Sequence, residues 1–534
     1  MVRWLRQHLD RRSLRILVGL VLVAAFLDFL FFTGFYGSDD LAYIEGSRTI
    51  ASDGSLSPEF GATRLGVVLP GALVWWITGG SLTALLWSQI GYHLALVPIA
   101  YVLARLLLDE RAGLVAAALV ALNPLFYGYA GAVLPDNSAT CCVGLSMIAL
   151  VATRRYADPG VRLTSWSKGR FLGYLLAGAM VGFCYWCKET AVILPIPAAI
   201  FIMTAGPSLR SFVWIQNGAI YTLGIVLVIA LELVVLRVLT GEWINRMTYL
   251  SEVAEDLREH MAGEGTTPFA RLRYASTQLR NWMPVSMWLL LAGTAGYGLT
   301  RVRNVGIMMF FWFPALYMTI GTTTLSEYLP PPIQSRYYAI VVLPAAVMTA
   351  VAVSHLVARW QHRRPRARTR LVLVSALALL GVFECRAALP QSGNLYRAKD
   401  VRAFVAALER TEELYPGTPV VVAPYYAGRM RPLLQARVDL TLDGTGTRPT
   451  PPYVYIRKAA KGDSPDPDPL LPTTQWIDKT VLVWPLPSRW RKIMGTVTAL
   501  VGASSREPSA GDNHWWAEVL LVRTRPESLR PGPN

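Results

Sequence analysis

Cysteine is scarce in this chain and poorly placed for cross-linking: five residues in 534, at Cys141, Cys142, Cys184, Cys187 and Cys385. All five lie in or beside apolar runs, and the large stretches 240–283 and 386–534 contain none. A disulfide framework is therefore excluded as a source of stability. Cys184-Tyr185-Trp186-Cys187 has redox-motif spacing but no alternating strand and helix pattern around it, so packing is the expected role. Charge is scarce too, at 16% of residues, where a soluble chain carries about a quarter. The sequence has no glycine-rich phosphate loop, no internal repeat and no Asn-x-Ser/Thr acceptor pattern. His93, His260 and His355 do not group at ligand spacing, which leaves a zinc site unsupported.

Apolar residues fill the space that charge leaves. They make up 53% of the chain, and the mean hydropathy is +0.36. Runs near Leu14–Phe32, Ser81–Leu108, Phe212–Leu239 and Tyr338–Val357 meet the length of about 20 residues that crosses a bilayer. The chain reads as an integral membrane protein.

The net charge of +16 invites a nucleic-acid reading, which its distribution rejects. Arg3, Arg6, Arg11, Arg12 and Arg15 precede the first span; Arg154, Arg155, Arg162, Lys168 and Arg170 fill one loop; Arg359, Arg363, Arg364, Arg366, Arg368 and Arg370 fill another. With all three facing the cytoplasm, the positive-inside rule fixes the orientation. Residues 34–63 show the opposite bias, with Asp39, Asp40, Glu45, Asp53 and Glu59 against Arg48 alone. Nucleic acid is not an expected partner; membrane lipid is.

Counting under this rule places about eleven spans, near 14–33, 82–107, 112–127, 138–153, 171–187, 190–205, 212–238, 284–300, 304–323, 338–357 and 371–385. The short apolar stretch Arg64–Thr78 is read as an interfacial or re-entrant helix, because counting it would invert the later loops. The first span is a signal anchor, with no small-x-small cleavage site after it. Arg- and Ala-rich usage suits the cytoplasmic (inner) membrane of a bacterium, with the active face and the tail toward the periplasm or exterior. The expected architecture is an all-α polytopic bundle over 1–385, holding outer loops at 34–80 and 240–283. An extracytoplasmic α/β domain over 386–534 follows it. In the 240–283 loop, Val253, Leu257 and Met261 recur at helical spacing. In the tail, Val401, Phe404, Val405 and Leu408 form a helical stripe before Gly417. The runs Pro419–Val422, Thr480–Trp484 and Glu518–Val522 read as strands.

Carboxylates at a membrane boundary are costly to desolvate and mark water-filled sites. Asp39 and Asp40 follow the first span, and Asp136 stands in a later short outer loop. Local structure explains part of this pattern: Ser38 can cap a helix whose first turn favours the aspartates, and Asp53-Gly54 can end it. Asp136 can cap the next span in the same way. Outer-side cations complete the set: Arg64 before the interfacial helix, Lys188-Glu189 at the end of a span, and Arg336-Tyr337-Tyr338 after Pro330-Pro331-Pro332. Each alone reads first as a snorkelling anchor. Together they suit attack of a hydroxyl on a sugar whose leaving group is a phosphate. Asp28, inside the first span, is read as a hydrogen-bonding partner within the bundle.

The order of these elements resembles the polytopic glycosyltransferases of the GT-C class, especially relatives of the protein O-mannosyltransferases and the lipid A aminoarabinose transferase. The acidic pair in a D-[DE]-x-x-Y loop helix is matched by Asp39-Asp40-Leu41-Ala42-Tyr43. A basic residue before an interfacial helix is matched by Arg64, and an aliphatic-Asp loop by Leu134-Pro135-Asp136. Lys188-Glu189-Thr190 matches an element after the fifth span, and Arg336-Tyr337 an Arg-Tyr before a late one. The resemblance covers roughly residues 10–385. It departs from the aminoarabinose transferases at Ala42, where they carry arginine, and at Leu65, where they carry proline, so it implies the class but not the sugar or acceptor. It implies a polyprenyl-phosphate-linked sugar donor, an extracytoplasmic acceptor (lipid, glycan or protein) and inversion at the anomeric carbon. Asp39 would be the general base, with Asp40 and Asp136 positioning it or binding metal. Arg64, Lys188, Arg336 and Tyr337 would hold the donor phosphate, and Tyr43 and Glu189 would contact substrate. A divalent cation, Mg or Mn, shared by Asp39 or Asp40 with donor phosphate is allowed but not required. A transporter or flippase for lipid-linked sugars is the rival from another class. It calls for ionisable groups at the midplane and repeat symmetry. A ligase acting on the same lipid-linked donors is the other alternative.

Overall fold

The computed structural model describes residues 10–32, 34, 39–58, 61–156, 168–205, 212–244, 246, 267–300, 302–322, 330–361, 366–393, 404, 407–408, 411, 418, 420–422, 453–460, 475–483 and 515–524. Two compact units emerge: Met1–Phe32 with Gly46–Ser392, and Thr33–Glu45 with Gly393–Asn534. The expected stripe Val253, Leu257 and Met261 lies outside the described residues, as do Ser38, Val401, Val405 and Arg364.

The first unit is helical. In chain order its helices are α1 (Arg11–Leu30), α2 (Asp39–Asp53, begun in the other unit), α3 (Leu65–Thr78), α4 (Leu82–Leu107), α5 (Glu110–Ala121) and α6 (Pro124–Ala130). Then come α7 (Pro135–Tyr156), α8 (Lys168–Cys187), α9 (Pro195–Ala205) and α10 (Val213–Thr240). The last five are α11 (Pro268–Trp282), α12 (Ser286–Gly298), α13 (Val305–Ile320), α14 (Ala339–Gln361) and α15 (Arg366–Gly393). Many start where a side chain can accept an orphan amide: Asp10 from Arg12, Ser81 from Ala84, Asp109 from Ala112 and Asn123 from Leu125. The Asn123 cap and the following Pro124 break one apolar run into α5 and α6, bent by 50°. Gly54, at φ 66, ends α2 after Asp53, as the Asp-Gly pair predicts.

A helix stands at each of the eleven expected positions. Among the described residues six of them, counting Ser335–Trp360 as one, are long and apolar enough to cross a membrane, or seven with the bent pair. The protein is a multi-pass membrane protein. At α12 the departure from eleven is one of length: its 13 residues reach only about 20 Å at 1.5 Å per residue. The stretch expected to be interfacial is α3, whose 14 residues likewise fall short of a span. Leu22, Phe26 and Phe29 on α1 and Val226, Leu227 and Val234 on α10 are exposed, a lipid-facing arrangement.

Close packing is set by small residues. Gly178 on α8 would collide, given a Cβ, with the Tyr221 carbonyl of α10, and Gly224 on α10 with the Leu175 carbonyl of α8. Backbones that near are the mark of helix pairs driven by dispersion inside a membrane. Farther along, Glu384 of α15 accepts from the amides of Val285 (2.9 Å) and Ser286 (2.6 Å). It thereby caps α12, whose own N-cap residue, Val285, offers no polar side chain. Asp28 meets His93 of α4 at 2.7 Å, both buried, which is the internal hydrogen bond expected of it. The five cysteines are free.

In the second unit, four strands form a sheet of order β1-β2-β4-β3: β1 (Val420–Val422), β2 (Tyr453–Ala460), β3 (Gln475–Val483) and β4 (Trp515–Thr524). β1 runs parallel to β2, and the other pairs are antiparallel, with a bulge between Ile477 and Lys479. Three strands fall on runs the sequence marks. β2, with Arg457 and Lys458 interrupting its apolar pattern, does not.

Candidate functional site

Three chain segments of the first unit converge on the end of α8. Lys188 leaves the helix in an extended conformation (φ −155°, ψ 131°), and residues Glu189–Ile193 form a 3-10 turn. Gly66 brings the start of α3 against them, since a Cβ there would overlap the Cys187 sulfur. The Tyr92 hydroxyl donates to the Gly66 carbonyl at 3.1 Å and fixes that approach. Arg64, just before α3, is thereby set beside Glu189.

The contact is bidentate: Arg64 Nε and Nη2 donate to the two Glu189 oxygens at 3.1 and 2.9 Å. Such fork-to-fork pairs fix both distance and plane. Arg246, six residues beyond α10, donates to the same Glu189 through Nη2 and to Glu232 of α10 through Nη1 at 2.6 Å. Arg246 Nη1 also reaches the carbonyls of Tyr185 (3.0 Å) and Trp186 (3.4 Å) in the last turn of α8. Burial alone would raise the Glu189 carboxyl pKa, but Arg64 and then Arg246 overcome it and hold it at about 2.

A second pair adjoins the first in sequence. Lys188 Nζ stands 2.5 Å from Asp136 Oδ1, in the first turn of α7, and 3.7 Å from the Tyr337 ring centroid. Burial pushes the Lys188 ammonium pKa down, against the opposing pull of Asp136. The other carboxyl oxygen, Asp136 Oδ2, is buried without a hydrogen-bond partner among the described residues. Tyr337 also lies under Arg336 at 5.3 Å, and Arg336 Nε donates to Gln334 at 2.8 Å. The 3-10 turn Ser335–Tyr338 that carries them is tied at both ends. The Ser335 hydroxyl hydrogen-bonds that of Tyr129 (3.1 Å), and the Tyr338 hydroxyl that of Thr319 (3.0 Å). Arg271 secures the preceding proline turn by donating to Pro331 at 2.5 Å.

The expected residues Arg64, Asp136, Lys188, Glu189, Arg336 and Tyr337 all belong to this unit, five of them in the two buried ion pairs and the Tyr337 contact. Their arrangement alters the reading of two cations. Arg64 is committed to Glu189 and Lys188 to Asp136, because charges this deeply buried need counter-charges. Asp39, Asp40 and Tyr43 fall in the second unit. There Asp39 is exposed, whereas Asp40 and Tyr43 are fully buried. Among the described residues no three His, Cys, Asp or Glu side chains are grouped to hold a metal ion.

Arg246 and Glu232 escape the sequence reading. The available signal is Glu232, a lone carboxylate in a 28-residue apolar helix, which calls for a buried cation. Arg64, Lys188 and Arg246 bring three fixed cations to the end of α8, paired with Glu189, Asp136 and Glu232. Fixed cations away from bulk water can stabilise a developing anion without reorganising.

Residues 71–236 match the profile of the dolichyl-phosphate-mannose-protein mannosyltransferase family. No curated protein sequence matches the chain. Among solved structures, ArnT from Cupriavidus metallidurans bound to undecaprenyl phosphate aligns with a TM-score of 0.52 at 12% identity, over 82% of this chain and 92% of that one. Its apo state aligns with a TM-score of 0.50 at 13% identity, over 95% and 97%. An oligosaccharyltransferase from Archaeoglobus fulgidus, tethered to an acceptor peptide, aligns at 0.50 and 15% identity over 80% of this chain. The chain spans only 63% of that archaeal enzyme's length. The fold is similar to that of ArnT.

Proposed function

We propose that this protein is a membrane glycosyltransferase moving a sugar from a polyprenyl-phosphate donor to an extracytoplasmic acceptor. The observation that carries the reading is the buried Lys188–Asp136 and Arg64–Glu189 assembly within a GT-C fold. ArnT, of similar fold, binds undecaprenyl phosphate, a lipid of the class this donor would release.

In this reaction an acceptor hydroxyl attacks the anomeric carbon from the side opposite the phosphate. Asp39, the exposed member of the acidic pair, takes the hydroxyl proton. The new oxygen–carbon bond forms as the carbon–oxygen bond to phosphate breaks, and polyprenyl phosphate leaves with the electron pair. The configuration inverts. Lys188 and Arg336, both in contact with the Tyr337 ring, are the cations this reading assigns to the departing negative charge. Asp136 holds Lys188 in place, and Glu189 holds Arg64. Asp39 and Asp40 supply two carboxylates at most, so a divalent cation there would need donor phosphate oxygens in its shell. Dialysis against EDTA followed by Mg or Mn addition tests that requirement.

The active face is the outer one, and the sheet-bearing second unit is an extracytoplasmic α/β domain. Cysteine labelling at positions 263 and 509 from the outside tests both; labelling only from the cytoplasm overturns them. The enzymatic test is transfer from synthetic polyprenyl-phosphate sugars by purified protein in detergent. A transporter needs two compartments to show itself, so product formed in detergent separates the enzyme from the flippase. No transfer from any donor of this class, by protein that still binds undecaprenyl phosphate, would favour the transporter.

A further inference from the structure

Arg246 is among the largest fully buried side chains of the protein, and its guanidinium gathers groups from three segments. Glu189 belongs to the turn after α8, Glu232 to α10, and the Tyr185 and Trp186 carbonyls to the last turn of α8. Its Cζ also lies 5.0 Å from the Tyr185 ring centroid. Carbonyls in a helix's last turn have no intrahelical donor, and a cation there is favoured by the helix dipole. Glu232, 2% exposed, gives this cation the counter-charge that its depth demands.

Glu189 is the hinge of the arrangement. Its Oε1 accepts from both Arg64 and Arg246, and its Oε2 from Arg64. A carboxylate gripped from one side only could rotate about its last torsion. Held from both sides, it has one orientation, and Arg64 must take the plane that matches. Lys188, the adjacent residue, inherits the same backbone placement.

We infer that Arg246, with Glu232 as its counter-charge, is a positioning residue that orients Glu189 and through it Arg64 and Lys188. Its effect on sugar transfer rests on the glycosyltransferase reading above; its hold on Arg64 does not. Lysine cannot replace it, because one ammonium cannot serve two carboxylates and two carbonyls with the geometry of a planar fork.

The test is a paired substitution in the full-length protein, Arg246→Met with Glu232→Leu, which removes both buried charges together and so avoids stranding either. Two readouts follow. Modification of Arg64 by phenylglyoxal, quantified by mass spectrometry, should proceed several times faster in the double variant than in the unaltered protein. Sugar transfer should fall at least about tenfold, chiefly in kcat/KM for the lipid donor, while the thermal midpoint stays close to the original. Unchanged Arg64 protection together with unchanged donor kinetics would overturn the inference. If the unaltered protein transfers no sugar at all, the enzymatic reading fails and Arg64 reactivity alone decides the positioning role. Should the double variant not fold, Arg246→Lys and Glu232→Gln replace it. Arg64 protection equal to the original in both would count against the inference, and increased modification in Arg246→Lys would support it.

Discussion

Lys188 and Asp136 meet at 2.5 Å, 52 positions apart in the chain and with almost no solvent around either. Their union joins the N-terminus of α7 to the C-terminus of α8. It also determines what substitution at either position does.

Asp136→Ala leaves a buried ammonium without its partner, a change that costs about 3–5 kcal/mol in comparable settings. The thermal midpoint in detergent should fall sharply, and activity with it. Lys188→Met combined with Asp136→Leu should restore most of the midpoint but none of the activity. Recovery of transfer in that double variant would show that Lys188 supports the fold alone.

Asp39 and Asp40 are neighbours with opposite environments, and their amide variants should separate. Asp39→Asn keeps shape but loses basicity, so turnover should drop at least about a hundredfold with little change in stability. Asp40→Asn, at a fully buried position, should lower the thermal midpoint first. Single-turnover kinetics and melting curves measured on the same preparations read the two effects. Equal turnover in Asp39→Asn and the original would remove Asp39 as the base.

Acid should weaken the cluster in a defined window. The Glu189 carboxyl ordinarily titrates at 4.5 and is held at about 2 in the folded protein. The stability this difference supplies is complete above 4.5 and disappears as the pH falls through about 2. Melting followed by intrinsic tryptophan fluorescence should therefore show a loss below 4.5 that Glu189→Gln lacks. An identical acid limb in both proteins would assign the loss to other carboxylates.

The α8–α10 contact tolerates no added bulk. Gly178→Val or Gly224→Val places side-chain atoms on a backbone carbonyl and should destabilise by roughly 1–3 kcal/mol or prevent folding. Gly218→Ala, with nothing within 4 Å of its added Cβ, is the control and should be silent. Yield of monodisperse protein after size-exclusion chromatography reports both.

Much of this organisation is legible in the residues. Long apolar runs mark a helix at each of the eleven positions expected to span, since a spanning helix must be apolar nearly all round; α11 (Pro268–Trp282), with Arg271, Arg273 and Arg280, offers no such run. Short motifs bring Arg64, Asp136, Lys188, Glu189, Arg336 and Tyr337 into one list. Who pairs with whom is not legible, because a positive side chain near a membrane boundary looks alike whether it awaits a phosphate or neutralises a glutamate. The pairing of Arg64 with Glu189 and of Lys188 with Asp136 therefore comes from the structure and not from the motifs. Arg246 is hidden more deeply: its partners lie 14 and 57 positions away, and no local pattern links such distances. The span count departs from eleven at α12 and α13, whose 13 and 16 residues are fewer than a full crossing needs.

The carboxylate of Glu384 sets a lower limit on how much of this chain can be produced separately. It belongs to the last helix of the first unit, yet it completes the start of α12 about a hundred positions earlier. A protein truncated before it would leave the amides of Val285 and Ser286 without the acceptor that Glu384 supplies. Cutting after Ser392 preserves the donor-acceptor pair and the whole first unit. Protease-resistant fragments of the folded protein should accordingly end beyond Glu384 and never between α14 and that residue.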